Sequence, residues 1–171
     1  MNKQFTFFWD GPYSQWHPSK FQVLGKEFNC AEQYMMYNKA LMFGDDNALC
    51  AIMSTPSPRA QKQYGREVRN FNMKLWNEHA KDIVYVGNHA KFTQHIDLLQ
   101  RLLATSPTLL VEASPYDTVW GIGLGAAEAS KTPQAQWKGT NWLGEVLTQV
   151  RDDILDNKPL IIEDYGFINL F

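Results

Sequence analysis

Apolar residues change their spacing several times along the chain, and each change marks an element. Phe5–Trp9 reads as a short strand that stops at the turn Asp10-Gly11-Pro12. Lys20–Leu24 and Lys26–Phe28 flank Gly25 as a small hairpin. From Cys30 the pattern turns helical, Asp45–Met53 continues as a second helical piece, and Ser54–Pro58 (STPSP) breaks it. Ser57 and Pro58 then supply an N-cap and a first-turn proline for a helix to about Val68. Asn72–Phe92 predicts a long helix with Met73, Trp76, Ala80, Ile83 and Val84 at core spacing. Gly87 in its middle costs about 1 kcal/mol relative to alanine. Gln94–Thr105 predicts an amphipathic helix built on Ile96, Leu99, Leu102 and Leu103 and stopped by Ser106-Pro107. Leu109–Glu112 is a strand, Trp142–Leu155 a terminal helix, and the tail after Pro159 an edge strand. Ser114–Thr140 is long, glycine-rich and irregular, and loops of that length in compact domains usually carry function or lack order.

One helical segment breaks its own pattern. FNCAEQYMMYNKALMF, Phe28–Phe43, is apolar almost all round yet carries Glu32 and Lys39. Seven residues is nearly two turns, so both project from one stripe, about 10 Å apart along the axis. A helix that is apolar on every side is normally buried, and buried charge is costly unless paired or used. The same residues admit a plainer role, in which Asn29 and Glu32 close the first turn as a relaxed capping box and Lys39 snorkels to solvent.

Composition narrows the function classes. The chain has 171 residues, 44% hydrophobic and 13% aromatic, enough for one well-packed core. A net charge of −2 gives no overall pull toward nucleic acid or an anionic membrane, although local cations suffice for a phosphate. Cys30 and Cys50 make no disulfide framework, and neither they nor the four scattered histidines match a metal-ligand spacing. No stretch approaches the roughly 20 apolar residues of a membrane span. The expectation is a soluble, cytoplasmic, metal-independent single domain that needs no cofactor.

Two further constellations carry candidate chemistry. Gly121-x-Gly123-x-x-Ala126 fits a relaxed dinucleotide fingerprint only superficially, because no strand–helix–strand unit surrounds it. Within the same loop, Asp117 and Trp120 could offer a hydrogen-bond acceptor and a stacking face together; equally, Asp117 could form an Asx turn and Trp120 could anchor the core. Asn141 stands where an N-cap belongs, and the unpaired N–H groups behind it could hold a phosphate.

Together these segments resemble the NADAR family. Four motifs carry the resemblance in order, from about Phe5 to Ile154. They are the loop Tyr13–Pro18; Glu32, Tyr34 and Lys39; Asp117, Trp120, Gly121 and Gly123; and Gly139, Asn141, Leu143 and Gly144 leading to Arg151. The chain departs from the family pattern at Gln15 and Trp16, where Asn-Phe is usual, and at Gln33, Met35 and Met36 within Glu-His-Tyr-Phe-Gln. These positions are expected to border the base-binding end of the pocket.

The resemblance implies a mostly helical α+β domain with a few short strands, here residues 1–158 followed by a C-terminal extension, 159–171. It also implies an N-glycosidase acting on a phosphorylated ribose or ADP-ribose-type substrate, which could be attached to nucleic acid. Cleavage of an N-glycoside passes through an oxocarbenium-like state that wants a carboxylate near C1. Glu32 is the candidate for that role, with Lys39 as an alternative Schiff-base nucleophile and Asp117 for the ribose hydroxyls or the leaving group. Trp120 and one of Trp9, Tyr13 or Trp16 are expected to stack on the base, Ser14, Tyr34, Gly121 and Gly123 to bind substrate, and Arg66 and Asn141 to hold phosphate. Arg59, Lys62, Arg66 and Arg69 are expected to share one basic helix face. That face favours ADP-ribosylated guanine or a related nucleotide adduct. The alternatives are the phosphoribosylamino-pyrimidine intermediates of riboflavin synthesis, or a non-catalytic ADP-ribose-binding module.

Overall fold

The computed structural model describes residues 4–170. Its elements are the strands β1 (Phe5–Phe8), β2 (Phe21–Val23), β3 (Lys26–Phe28) and β4 (Leu109–Glu112), with helices α1 (Ala31–Met42), α2 (Asp46–Ser54), α3 (Pro58–Arg66), α4 (Met73–Thr93), α5 (Ile96–Leu103), α6 (Ala126–Ala129) and α7 (Trp142–Leu155). The fold is mostly helical α+β, as expected. Two compact units share it, one formed by the residues up to Ser14 with Ile96–Pro159, the other by Gln15–His95 with the residues from Leu160.

In the first unit β1 and β4 pair in parallel, Phe5 opposite Leu109 and Phe8 opposite Glu112. Val111, Ile122, Leu124 and Ala129 form a buried cluster covered by Phe5, Phe7, Leu109 and Trp137. α7 lays Leu143, Val146, Leu147 and Val150 into the interior. Its buried Arg151 donates to Asp152 Oδ1 at 2.8 Å and to Thr105 Oγ1 at 3.1 Å. The glycine-rich segment is not loose. Ile122 N–H donates to the Glu112 carbonyl, and the N–H groups of Lys138, Thr140, Asn141, Trp142 and Leu143 donate back to carbonyls between Thr118 and Ile122.

In the second unit α4 is the spine. Ala80, Ile83, Val86 and Phe92 are wholly buried. Gly87 faces the Tyr34 ring so closely that a Cβ there would overlap it, which is why the longest helix carries a glycine at mid-length. Gly65 gives the same clearance to Met36 between α3 and α1. The tail is not a strand. Ile162–Asp164 and Gly166–Leu170 are 3₁₀ turns, with Tyr165 stacked on Tyr85 of α4 at 5.7 Å and Phe167 buried. Aromatic packing, rather than strand pairing, is where its apolar residues find a partner.

Three smaller expectations change. Met73 and Ile96, the first residues of α4 and α5, are exposed, and Leu98 with Leu102 forms the buried face of α5. α3 stops at Arg66, so Arg69 leaves the basic face. Its backbone N–H and guanidinium both donate to the Asp45 carboxylate, at 2.9 and 3.0 Å. That pairing, with the α2 N-cap bond from Ala48 N–H, holds the Asp45 carboxyl well below the usual carboxylate range.

Candidate active site

α1 is apolar on all sides because it is packed on all sides, touching α2, α3 and α4. Its first turn decides how Glu32 is to be read. Cys30 is the N-cap and makes no side-chain cap bond. The turn is closed by Gln33, whose Oε1 accepts the Asn29 N–H at 2.8 Å while its Nε2 donates to the Ile52 carbonyl at 3.1 Å. The Glu32 backbone N–H is satisfied by the Gln15 carbonyl at 2.9 Å. The capping work falls to Gln33, and the Glu32 carboxylate lies at the buried start of the helix, only 5% exposed.

Two amines share electrostatic contact with this corner. Lys39 is half-buried, its Nζ 4.3 Å from the centroid of Phe71 and 5.6 Å from that of Trp76. Burial lowers its pKa from the ordinary lysine value, Glu32 pulls it back up, and Arg66 lowers it further. The second amine is Lys91 on α4, fully buried, with its pKa pushed down to about 7 by desolvation and held up in part by Cys30. The Cys30 thiol donates to Gln61 Oε1 at 3.3 Å, and burial raises its pKa to about 11, with Glu32 and Lys91 both within electrostatic reach. Lys91 was not among the sequence candidates. Its signal was the core stripe of α4, since it follows Val84 by seven residues and so lands where an apolar side chain belongs.

Beside Arg66 runs a groove of about 600 Å³ lined by Trp16, Ser57, Arg59, Lys62, Gln63 and Arg66. Trp16 is 38% exposed, and Lys62 Nζ lies 6.0 Å from its ring. Cations with a stacking surface in one groove suit an anion that carries a ring. Within the second unit, then, Lys39 has Glu32 and Arg66 within electrostatic reach, and Arg66 shares the groove with Trp16. Tyr34 does not join them: it is 3% exposed and fills the gap against Gly87 and Phe28, with burial raising its hydroxyl pKa.

The remaining candidates lie in the first unit, where several are engaged in holding the chain. Asp117 Oδ1 accepts from the N–H groups of Val119 at 2.9 Å and Trp120 at 2.8 Å, the Asx-turn role. Trp120 is half-buried, edge-on to Trp142 at 5.5 Å. Gly121 is crowded by backbone oxygens of Asp117 and Glu112, and Gly123 takes φ +68, so these glycines serve the loop's own close approach and turn. Asn141 stands at the N-cap position with φ 56, but its side chain makes no cap bond. Its amide bridges β4 instead, accepting from Glu112 N–H and donating to the Leu110 carbonyl, both at 3.0 Å. Those two bonds fix the Asn141 side chain to the backbone of β4. Tyr13 donates to the Arg101 carbonyl at 3.0 Å, Ser14 N–H to Gly11, and the exposed Trp9 ring lies 6.1 Å from Tyr116.

Among the described residues no cluster of three or more His, Cys, Asp or Glu could hold a metal ion. No described helix is long and apolar enough to cross a membrane.

Comparison with known proteins agrees with this architecture. The NADAR domain profile matches residues 7–155. The chain is 47% identical to N-glycosidase R617 of Acanthamoeba polyphaga mimivirus over 82% of its own length and 86% of that protein's. It is 28% identical to the riboflavin biosynthesis protein PYRR, chloroplastic, of Zea mays, over 91% of its own length but 25% of the maize protein. The NMR structure of the Escherichia coli protein YbiA superposes with a TM-score of 0.75 at 28% identity, covering 92% of this chain and 89% of that one. Like relatives that carry that name, the chain is an N-glycosyl hydrolase. By this match along nearly its whole length, the chain belongs to the NADAR family.

Proposed function

We propose that Glu32 and its neighbouring amines hydrolyse the bond between ribose C1 and a base nitrogen in ADP-ribosylated guanine or a related nucleotide adduct. The observation that carries this reading is the release of Glu32 from helix capping by Gln33, beside a lysine of lowered pKa. Glu32 takes a proton from water as the water oxygen bonds to C1. The C1–N bond breaks, and an ammonium of the site returns a proton to the departing nitrogen. A buried carboxylate also favours the positive charge that grows at C1. Lys39 remains the alternative nucleophile, through a Schiff base to C1 of the ring-opened sugar.

The groove along α3 supports the larger substrate. Arg59, Lys62 and Arg66 extend over about 10 Å of helix, a reach suited to a diphosphate, with the Trp16 indole beside them for an adenine. The riboflavin intermediates remain the second reading, favoured by the name of the maize riboflavin biosynthesis protein. We place the activity in residues 1–158, with 159–171 as an extension, in a cytoplasmic protein.

The test is a pair of matched incubations, one with ADP-ribosylated guanine nucleic acid and one with the phosphoribosylamino-pyrimidine, followed by mass spectrometry. Release of ADP-ribose, lost in Glu32→Gln, is the expected result. Faster release of ribose 5-phosphate from the pyrimidine would overturn the substrate assignment. Binding of ADP-ribose without turnover of either compound would replace the enzyme by a reader.

A further inference from the structure

Gln15, Gln33 and Met36 depart from the family pattern, and the structure accounts for two of them by packing. Gln33 closes α1, and Met36 fills the space above Gly65. Gln15 is different. Its carbonyl secures the Glu32 N–H, so its side chain starts from the same corner as the candidate carboxylate.

The orientation of that side chain is forced by its neighbours. Asn88 on α4 is wholly buried and donates through Nδ2 to the Val84 carbonyl at 2.9 Å. A carbonyl can only accept, so this end of the Asn88 amide is the nitrogen. Its second hydrogen goes to Gln15 at 2.8 Å, which makes the receiving atom Oε1. The Gln15 NH₂ group must then face the other way, toward Met35, whose sulfur lies 3.8 Å away. A thioether is a weak acceptor and leaves the donor capacity of that NH₂ largely unused. Asn88 bears a cost for holding this arrangement, since its Oδ1 is buried without a hydrogen-bond partner among the described residues. Met35 follows Glu32 by three residues on α1, so the NH₂ group is turned toward the Glu32 face of the helix. Gln15 itself is half-buried and precedes the Trp16 that lines the cationic groove.

We infer that the Gln15 side-chain NH₂ is a specificity-determining donor, which hydrogen-bonds an acceptor on the leaving base (a carbonyl oxygen or ring nitrogen next to the scissile bond), with Asn88 as its positioning residue. This rests on the N-glycosidase reading above and adds to it what the enzyme demands of the leaving group. A donor fixed in advance costs no reorganisation when the base departs, and a base lacking the acceptor leaves the donor unpaired.

The experiment compares two substrates in the full chain, the ADP-ribosyl adduct of guanine and an ADP-ribosyl adduct of an aniline, whose leaving group has no acceptor. In wild type the ratio of their kcat/KM values measures how far the acceptor is preferred. Gln15→Met, close in volume but without the donor, is expected to lower that ratio at least about tenfold. Asn88→Ala is expected to lower it in the same direction by less. Equal losses on both substrates, or an unchanged ratio, would overturn the inference and assign Gln15 to structure. Should Gln15→Met fail to fold, Gln15→Leu, which also removes the donor, gives the same comparison. No product from either substrate with wild type, with Glu32→Gln indistinguishable from it, brings down the glycosidase reading instead, and this inference with it.

Discussion

Gln33 accepts the Asn29 N–H at 2.8 Å, one position beyond the acid that the capping pattern singles out. The two residues share the first turn of α1 and are both 5% exposed, yet they face opposite demands. Gln33 satisfies backbone groups on both sides of the turn, whereas Glu32 has its own N–H met by Gln15 and keeps its carboxylate within electrostatic reach of Lys39 and Cys30.

Substitutions at the two positions should therefore separate stability from turnover. Gln33→Ala leaves the Asn29 N–H and the Ile52 carbonyl unmet and is expected to cost about 1–3 kcal/mol in a denaturant titration, with kcat largely preserved. Glu32→Gln is expected to cost at least about 100-fold in kcat, with the melting temperature little changed. Loss of both properties in both variants would return Glu32 to the capping role.

Lys91 should leave a mark on stability as a function of pH. Its folded-state pKa of about 7 lies below the roughly 10.4 of an unfolded lysine. Between those values the unfolded chain holds the proton and the folded chain does not, so stability rises with pH across that interval. Below pH 7 both states are protonated and the full cost of burial is present. Urea titrations from pH 6 to 10 are expected to show that rise in wild type, on the order of 3 kcal/mol. They should show a flatter profile in Lys91→Met.

A Schiff-base route would leave a covalent record. Borohydride added to protein with ring-opened ribose 5-phosphate is expected to fix the sugar on one lysine, identifiable by peptide mass spectrometry. Half-buried Lys39 is the expected site. Trapping at Lys91 would move the nucleophile to α4, and a stable absence of adduct at either would leave water activated by Glu32 as the route.

Gly87→Ala should be harmful although alanine is the better helix former. The new Cβ meets the Tyr34 ring, which is itself held edge-on by Phe28 at 5.0 Å. Overpacking of this kind costs about 1–3 kcal/mol, against a propensity gain of about 1 kcal/mol. Gly87→Ala with Tyr34→Leu is expected to recover part of the loss in thermal melts.

Much of the fold was legible because its signals are local. Ser57-Pro58, the run from Asn72 and the apolar spacing of Trp142–Leu155 all place a helix within a residue or two of where it lies. The basic face failed at Arg69 because its fate is set by Asp45, 24 residues away, which no periodicity records. Asn141 is found by position but its bonds to β4 are not, since an N-cap asparagine and one that bridges a strand look alike in sequence. Lys91 was passed over for the opposite reason. A lysine near the end of a long helix normally reaches solvent, and only continuing the stripe through Gly87 brings it into the core.

The parallel pairing of β1 with β4 has a consequence in time. Phe5–Phe8 leaves the ribosome before its partner Leu109–Glu112, which is made about a hundred residues later. At a synthesis rate of roughly 5–20 residues per second, that is an interval of about 5–20 s. Through it the nascent chain exposes FTFF, an uncharged, aromatic strand with neither edge satisfied, the kind of segment that pairs with whatever strand it meets. Yield in the cell should then depend on what shelters Phe5–Phe8 until the chain has passed Glu112.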